Sequence, residues 1–203
     1  MPAYFSLTFE LNKSHNAMKD FYENLIYAGL VFQSGYCGFE NERFEDIITW
    51  NQNKLDENFE LGYTEHHSHD YRQMLFHYVD FSEVRVFVMN DRTERTFSFD
   101  VIIPESDLLN YTKDNEGRYS VQRNFERMER LKSVAKKMWV NSSVLAIQTG
   151  WECSDIPPSA EDIARGIQPQ TEPFCIIQAV SVVKDQDHIY EYIQRNGVLI
   201  EEA

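Results

Sequence analysis

Two stretches of this chain alternate apolar and polar residues so regularly that they constrain every fold open to it. In residues 4–11, Phe5, Leu7, Phe9 and Leu11 alternate with Ser6, Thr8 and Glu10. In residues 96–103, Phe97, Phe99, Val101 and Ile103 alternate with Ser98, Asp100 and Ile102. Successive side chains of a strand point to opposite faces, so each stretch predicts a strand with one apolar face. A helix is predicted after each. Met18, Phe21, Tyr22, Leu25 and Ala28 form an apolar face over residues 14–28, with Ser14 or Asn12 as cap and Gly29 near the exit. Val121, Phe125, Met128, Leu131, Ala135, Met138 and Trp139 keep the helical period over residues 120–140.

Further strands are predicted over residues 44–50, 73–79, 84–89, 144–151 and 174–183. Gly35 and Gly38 mark a turn, residues 51–70 read as polar loop, and the loop after residue 103 runs through Gly117. Ser159, Ala160, Glu161 and Asp162 open a capped short helix that ends at Gly166, while residues 189–193 fit helix and strand equally. Each half of the chain thus runs strand, helix, strand, strand. The expected class is α+β, an antiparallel or mixed sheet with helices mainly on one face, organised as two ferredoxin-like β-α-β-β units. Residues 1–203 are expected to form one domain with pseudo-repeated halves, 1–92 and 93–203. The alternative is two unrelated layers of one sheet.

A composition that is 42% hydrophobic and 14% aromatic supplies a sizeable core and argues against disorder. Cys37, Cys153 and Cys175 include no CxxC pair and have no histidine close by, which argues against a zinc site or a disulfide framework built on them. The opening MPAYFSLTFELNKSHN lacks the charged and apolar regions of a signal peptide, and no apolar run approaches the ~20 residues of a membrane span. A soluble, cytoplasmic protein of a reducing compartment is expected.

The chain carries 33 acidic against 19 basic residues, a net charge of −14. Such a balance repels phosphate backbones and anionic membranes, so neither nucleic acid nor membrane is expected as a partner, whereas a basic protein is attracted. The same acidity also serves solubility. Glu40, Glu42, Glu45, Asp46, Asp56, Glu57 and Glu60 concentrate the negative charge, offset locally by Arg43 and Lys54. Their spacing matches no calcium loop, and no glycine-rich phosphate cradle occurs. They are the candidate contacts for a basic partner, with a solvated loop as the plainer alternative.

Residues 64–78, TEHHSHDYRQMLFHY, hold four of the six histidines. An extended chain rises ~3.3 Å per residue, so the eight residues from His69 to His77 span about 26 Å, too far for one ion. His66, His67, His69 and Asp70 remain as candidate ligands of a divalent metal. Zinc needs about four ligands held by supporting hydrogen bonds, which a polar loop does not itself supply, so a solvated loop is favoured. His77 lies in a predicted strand and is expected as a core histidine.

Cys37, flanked by Gly35 and Gly38, is a conceivable nucleophile, but the acidic segment after it works against a reactive thiolate, and a plain turn cysteine is favoured. Seven of the basic residues fall between Arg118 and Lys137, with Arg123, Arg127 and Arg130 on one stripe. That stripe suits an anion or RNA, a solvated helix face, or an internal pairing with the acidic 40–65 segment. Trp50, Trp139 and Trp151 read as core or rim aromatics. Together these features favour a binding protein without catalysis or cofactor, inhibitor-like in the manner of an immunity protein or antitoxin. The alternatives are a metal-dependent hydrolase using His66, His67 and His69, and a small-ligand domain with an aromatic pocket between sheet and helices.

Overall fold

The two alternating stretches pair with each other at the centre of one sheet. A computed structural model describes residues 3–57, 72–89 and 95–203. The first half contributes β1 (Tyr4–Asn12), α1 (Ala17–Ala28), β2 (Val31–Gly35), α2 (Phe44–Asp56), β3 (Met74–His77) and β4 (Val84–Met89). The second begins with β5 (Thr96–Pro104), the single-turn α3 (Glu105–Leu108), and the hairpin β6 (Leu109–Lys113) and β7 (Tyr119–Arg123). It continues with α4 (Phe125–Met138), β8 (Val144–Trp151), α5 (Ala160–Ala164), β9 (Phe174–Gln178), β10 (His188–Ile193) and β11 (Gly197–Glu202).

Nine strands form one sheet in the order β10-β11-β9-β8-β1-β5-β4-β3-β2, and every neighbouring pair is antiparallel. β1 and β5 match over their whole length, from Tyr4 opposite Pro104 to Asn12 opposite Thr96. Helices α1, α2 and α4 cover one face of the sheet. There the odd residues of β1, Phe5, Leu7, Phe9 and Leu11, are fully buried with Phe97, Phe99 and Ile103 of β5. Phe21 of α1 stacks on Phe99 with ring centroids 3.7 Å apart, and Phe9 meets Phe21 edge-on at 5.2 Å. The opposite face carries a smaller apolar cluster under α5, made of Ala146, Ile163, Cys175, Ile177, Val198 and Ile200.

Several local expectations change. Residues 44–50 form the first half of helix α2 rather than a strand, because Ile47, Asn51 and Leu55, four residues apart, bury one helical face. The helix expected from residue 120 starts at Phe125. Asn124 caps it, its side chain accepting the Arg127 N–H at 3.2 Å, and Val121 belongs to β7. The strand expected over 174–183 stops at Gln178, where a 3-10 turn follows over Ala179–Ser181. Residues 189–193 are extended, within β10; β6 replaces part of the loop expected between residue 103 and Gly117, and β2 and β11 are strands beyond those expected. His77 ends β3 exposed, not in the core: Met74 and Phe76 take the buried positions, so parity turns His77 outward.

Candidate functional site

The face of the sheet opposite α1, α2 and α4, which carries the short helix α5, is the one to which β1 and β5 turn their polar residues. Thr8 lies directly between Asp100 of β5 and Gln148 of β8, and Glu10 lies between Ser98 and Ala146. These polar groups are not solvated strand residues: Glu10 and Asp100 are 5% and 7% exposed, and Ser98 and Gln148 are buried with them. Burying polar groups at this density is costly unless each has partners.

Two of them hold the segment that crosses above the sheet. Glu10 accepts the Ala160 N–H at 2.6 Å, at the start of α5. Gln148 donates to the Pro158 carbonyl at 2.8 Å and accepts the Gln170 N–H at 2.9 Å. Gly150 lets this segment sit close: a Cβ there would lie 2.1 Å from Gln170 Nε2 and 3.2 Å from the Ser154 Cβ. Thr8 and Asp100 stand beside the covered half. The Thr8 hydroxyl donates to Asp100 Oδ1 at 2.5 Å.

Over β4, β5 and β1 this arrangement leaves a cavity of about 260 Å³. Its floor is Ser6, Thr8, Ser98 and Asp100, its apolar walls include Phe87, Met89, Ile102 and Ile156, and Glu152 and Asp155 stand at its rim. Among the described residues, no lysine, arginine or histidine lines it. Such a site suits a group with an apolar stem and a cationic, hydrogen-bonding head.

The acidic candidates from the sequence lie elsewhere and in two groups. Glu45 and Asp46 occupy the first turn of α2, where the helix dipole favours negative charge, with Glu40 and Glu42 just before it. Asp56 ends the helix and Glu57 caps it. Ten residues at 1.5 Å rise separate Asp46 from Asp56 by about 15 Å. Most of these carboxylates have local partners: Gly38 N–H for Glu40, Arg72 for Glu42, Arg43 for Glu45, Gln52 and His15 for Asp56, and Lys54 for Glu57. The Gly38 N–H holds the Glu40 carboxyl below its ordinary pKa. Glu60, and the metal candidates His66, His67, His69 and Asp70, lie outside the described residues. Among the described residues no three His, Cys, Asp or Glu side chains gather as metal ligands would.

The basic stripe is matched inside the fold. Arg127 holds Asp80 through Nε and Nη2, at 3.1 and 3.0 Å, and donates to the Asp107 carbonyl at 2.8 Å. Arg130 joins Asp80 and Glu126, Lys132 joins Glu129 and Glu201, Lys136 joins Glu191, and Arg123 joins Glu202. Cys37, at a positive φ of 59°, and Cys153 are exposed, and Cys175 is buried. Thr8, Ser98, Asp100 and Gln148 were not singled out by their sequence, although an acidic residue in each central strand was a signal. Comparison with family models, curated protein sequences and solved structures found no match to this chain.

Proposed function

We propose that this chain is a non-catalytic binding protein, inhibitor-like in role, that receives a basic side chain of a protein partner in the cavity on the α5 face of the sheet. The observation that carries the reading is the placement of Asp100. Its carboxylate is buried beside the Thr8 hydroxyl on the floor of a cavity whose rim adds Glu152 and Asp155. A guanidinium or ammonium reaching that floor gains charge-assisted hydrogen bonds, while its methylene stem lies against Phe87, Met89 and Ile102. The net charge of −14 works at longer range, raising the encounter rate with a basic surface. The carboxylates around α2 fit the same picture as a steering surface, not as the anchor.

Titration with N-acetyl-arginine amide, followed by amide shifts in NMR, tests the reading against N-acetyl-citrulline amide, which has nearly the same shape without the charge. The arginine compound is expected to shift Thr8 and Ser98, and the citrulline compound to leave them. Asp100→Asn keeps the size of the side chain and removes the charge. It is expected to weaken arginine binding about 10- to 100-fold, the worth of one hydrogen bond to a charged group. Equal shifts from both compounds, or an unchanged affinity in D100N, would remove the proposal.

A further inference from the structure

The β6–β7 hairpin stands apart from the nine-stranded sheet, and every residue from Asn110 to Gln122 is exposed. Its register sorts the side chains into two unlike faces. Asn110 pairs with Gln122 and Thr112 with Ser120, a polar face, whereas Tyr111 pairs with Val121 and Lys113 with Tyr119. Tyr111, Tyr119 and Val121 are 58%, 71% and 53% exposed, and Phe125, which continues their parity at the start of α4, is 78% exposed. An amphipathic hairpin with its apolar face in water is a sheet face awaiting a second layer, since two strands alone are marginal in water.

We infer that a second copy of this chain supplies that layer, the two hairpins packing apolar face to apolar face across a twofold axis. Charge permits self-contact at this patch. The molecule carries −14, and two such molecules repel, but at the hairpin Lys113, Arg118 and Arg123 balance Asp114, Glu116 and the Glu202 that Arg123 joins. Arg118 also pairs with both of those carboxylates within its own hairpin. The approach of two copies is therefore little opposed here. Area agrees. An aromatic side chain buries about 150–250 Å², so the exposed parts of Tyr111, Tyr119 and Phe125 with Val121 give roughly 500 Å² per copy. Two copies bury about 1,000 Å², the size at which specific interfaces begin. An isologous contact also closes on itself, so it makes a dimer and not a filament. This inference stands independently of the cavity on the α5 face of the sheet.

Sedimentation of the full-length protein at about 100 μM, above the micromolar Kd of interfaces this small, tests it. A mass of twice 24.0 kDa is expected. Val121→Glu places a charge in the apolar face and is expected to raise the dimer Kd about a hundredfold. Gln122→Glu, its neighbour on the polar face, is expected to leave the dimer intact. Should V121E lose its fold by circular dichroism, Tyr119→Ser takes its place with the same expectation. A wild type that stays at 24.0 kDa, a dimer indifferent to the apolar-face variants, or equal dissociation by Gln122→Glu each overturns the inference. So does a different protein that captures the hairpin of a monomeric wild type.

Discussion

Asn51 is fully buried on the face of α2 that also buries Ile47 and Leu55. It belongs there because its amide mimics a strand neighbour: Nδ2 donates to the Arg72 carbonyl and Oδ1 accepts the Arg72 N–H, both at 2.9 Å. The Arg72 guanidinium is then set over Trp50, 4.0 Å from the ring centroid, and bound to Glu42. Asn51→Ala removes both backbone bonds and leaves two Arg72 groups to find water, so a loss of about 2–4 kcal/mol is expected. Urea denaturation measures it, and a variant within about 0.5 kcal/mol of wild type, the range of an ordinary surface change, would contradict this role. The same residue explains why α2 was illegible in the sequence. Residues 44–50 hold Phe, two Ile, Thr and Trp, all strand formers. The helical period appears only when a polar Asn is counted as buried, and hydropathy alone gives no reason to count it. The same holds for Asp100 and Glu10, which alternation assigns to the face opposite Phe9 and Phe99 but not to burial there.

Elements were legible where one period had no competitor. β1, α1 and β5 come out close to their expected bounds, because their apolar residues supply a clean period of two or 3.6. Around residues 119–125 the two periods coincide. Val121 and Phe125 extend the stripe of α4 backwards, yet Tyr119, Val121 and Arg123 also alternate with Ser120 and Gln122. Asn124 decides the matter by capping α4, and its N–H also bonds the Leu108 carbonyl at 2.7 Å, closing the base of the hairpin. Asp107 in α3 then ties this junction to the β3–β4 turn. Its Oδ2 accepts the Ser82 N–H and hydroxyl at 2.7 and 2.8 Å, and Arg127 reaches its Oδ1 at 3.3 Å. Three elements thus depend on one carboxylate that is 8% exposed. Asp107→Ala is expected to cost roughly 3 kcal/mol, and a cycle with Ser82→Ala to give a coupling of about 1 kcal/mol or more, read from urea midpoints. Additive effects of the two changes would show that the turn and α3 are held independently.

At the scale of the molecule, the first strands of the two halves are exchanged. β1 pairs with β5 and β8, both from the second half, and has no partner strand in its own. β5 in turn sits between β1 and β4. Both strands that flank β1 therefore lie at least 80 positions away, as Phe9 opposite Phe99 illustrates. Phe5, Leu7, Phe9 and Leu11 are all fully buried. At about 1.5–3 kcal/mol per large apolar side chain, their burial is worth roughly 6–12 kcal/mol, as much as the whole net stability of an ordinary domain. Neither half can keep that term alone. In a chain of residues 1–92, β1 would expose both edges and the four apolar side chains that β5 and β8 help to cover. Such a fragment is expected to give a collapsed NMR spectrum and no cooperative thermal transition, while the full chain unfolds in a single transition. Mixing it with residues 93–203 is expected to restore dispersion, because β1 and β5 then meet in their nine-residue register. Well-dispersed resonances from the isolated first half would mean that its own helices, with β2, β3 and β4, suffice as a core. The long-range pairing would then be an addition to a fold already made.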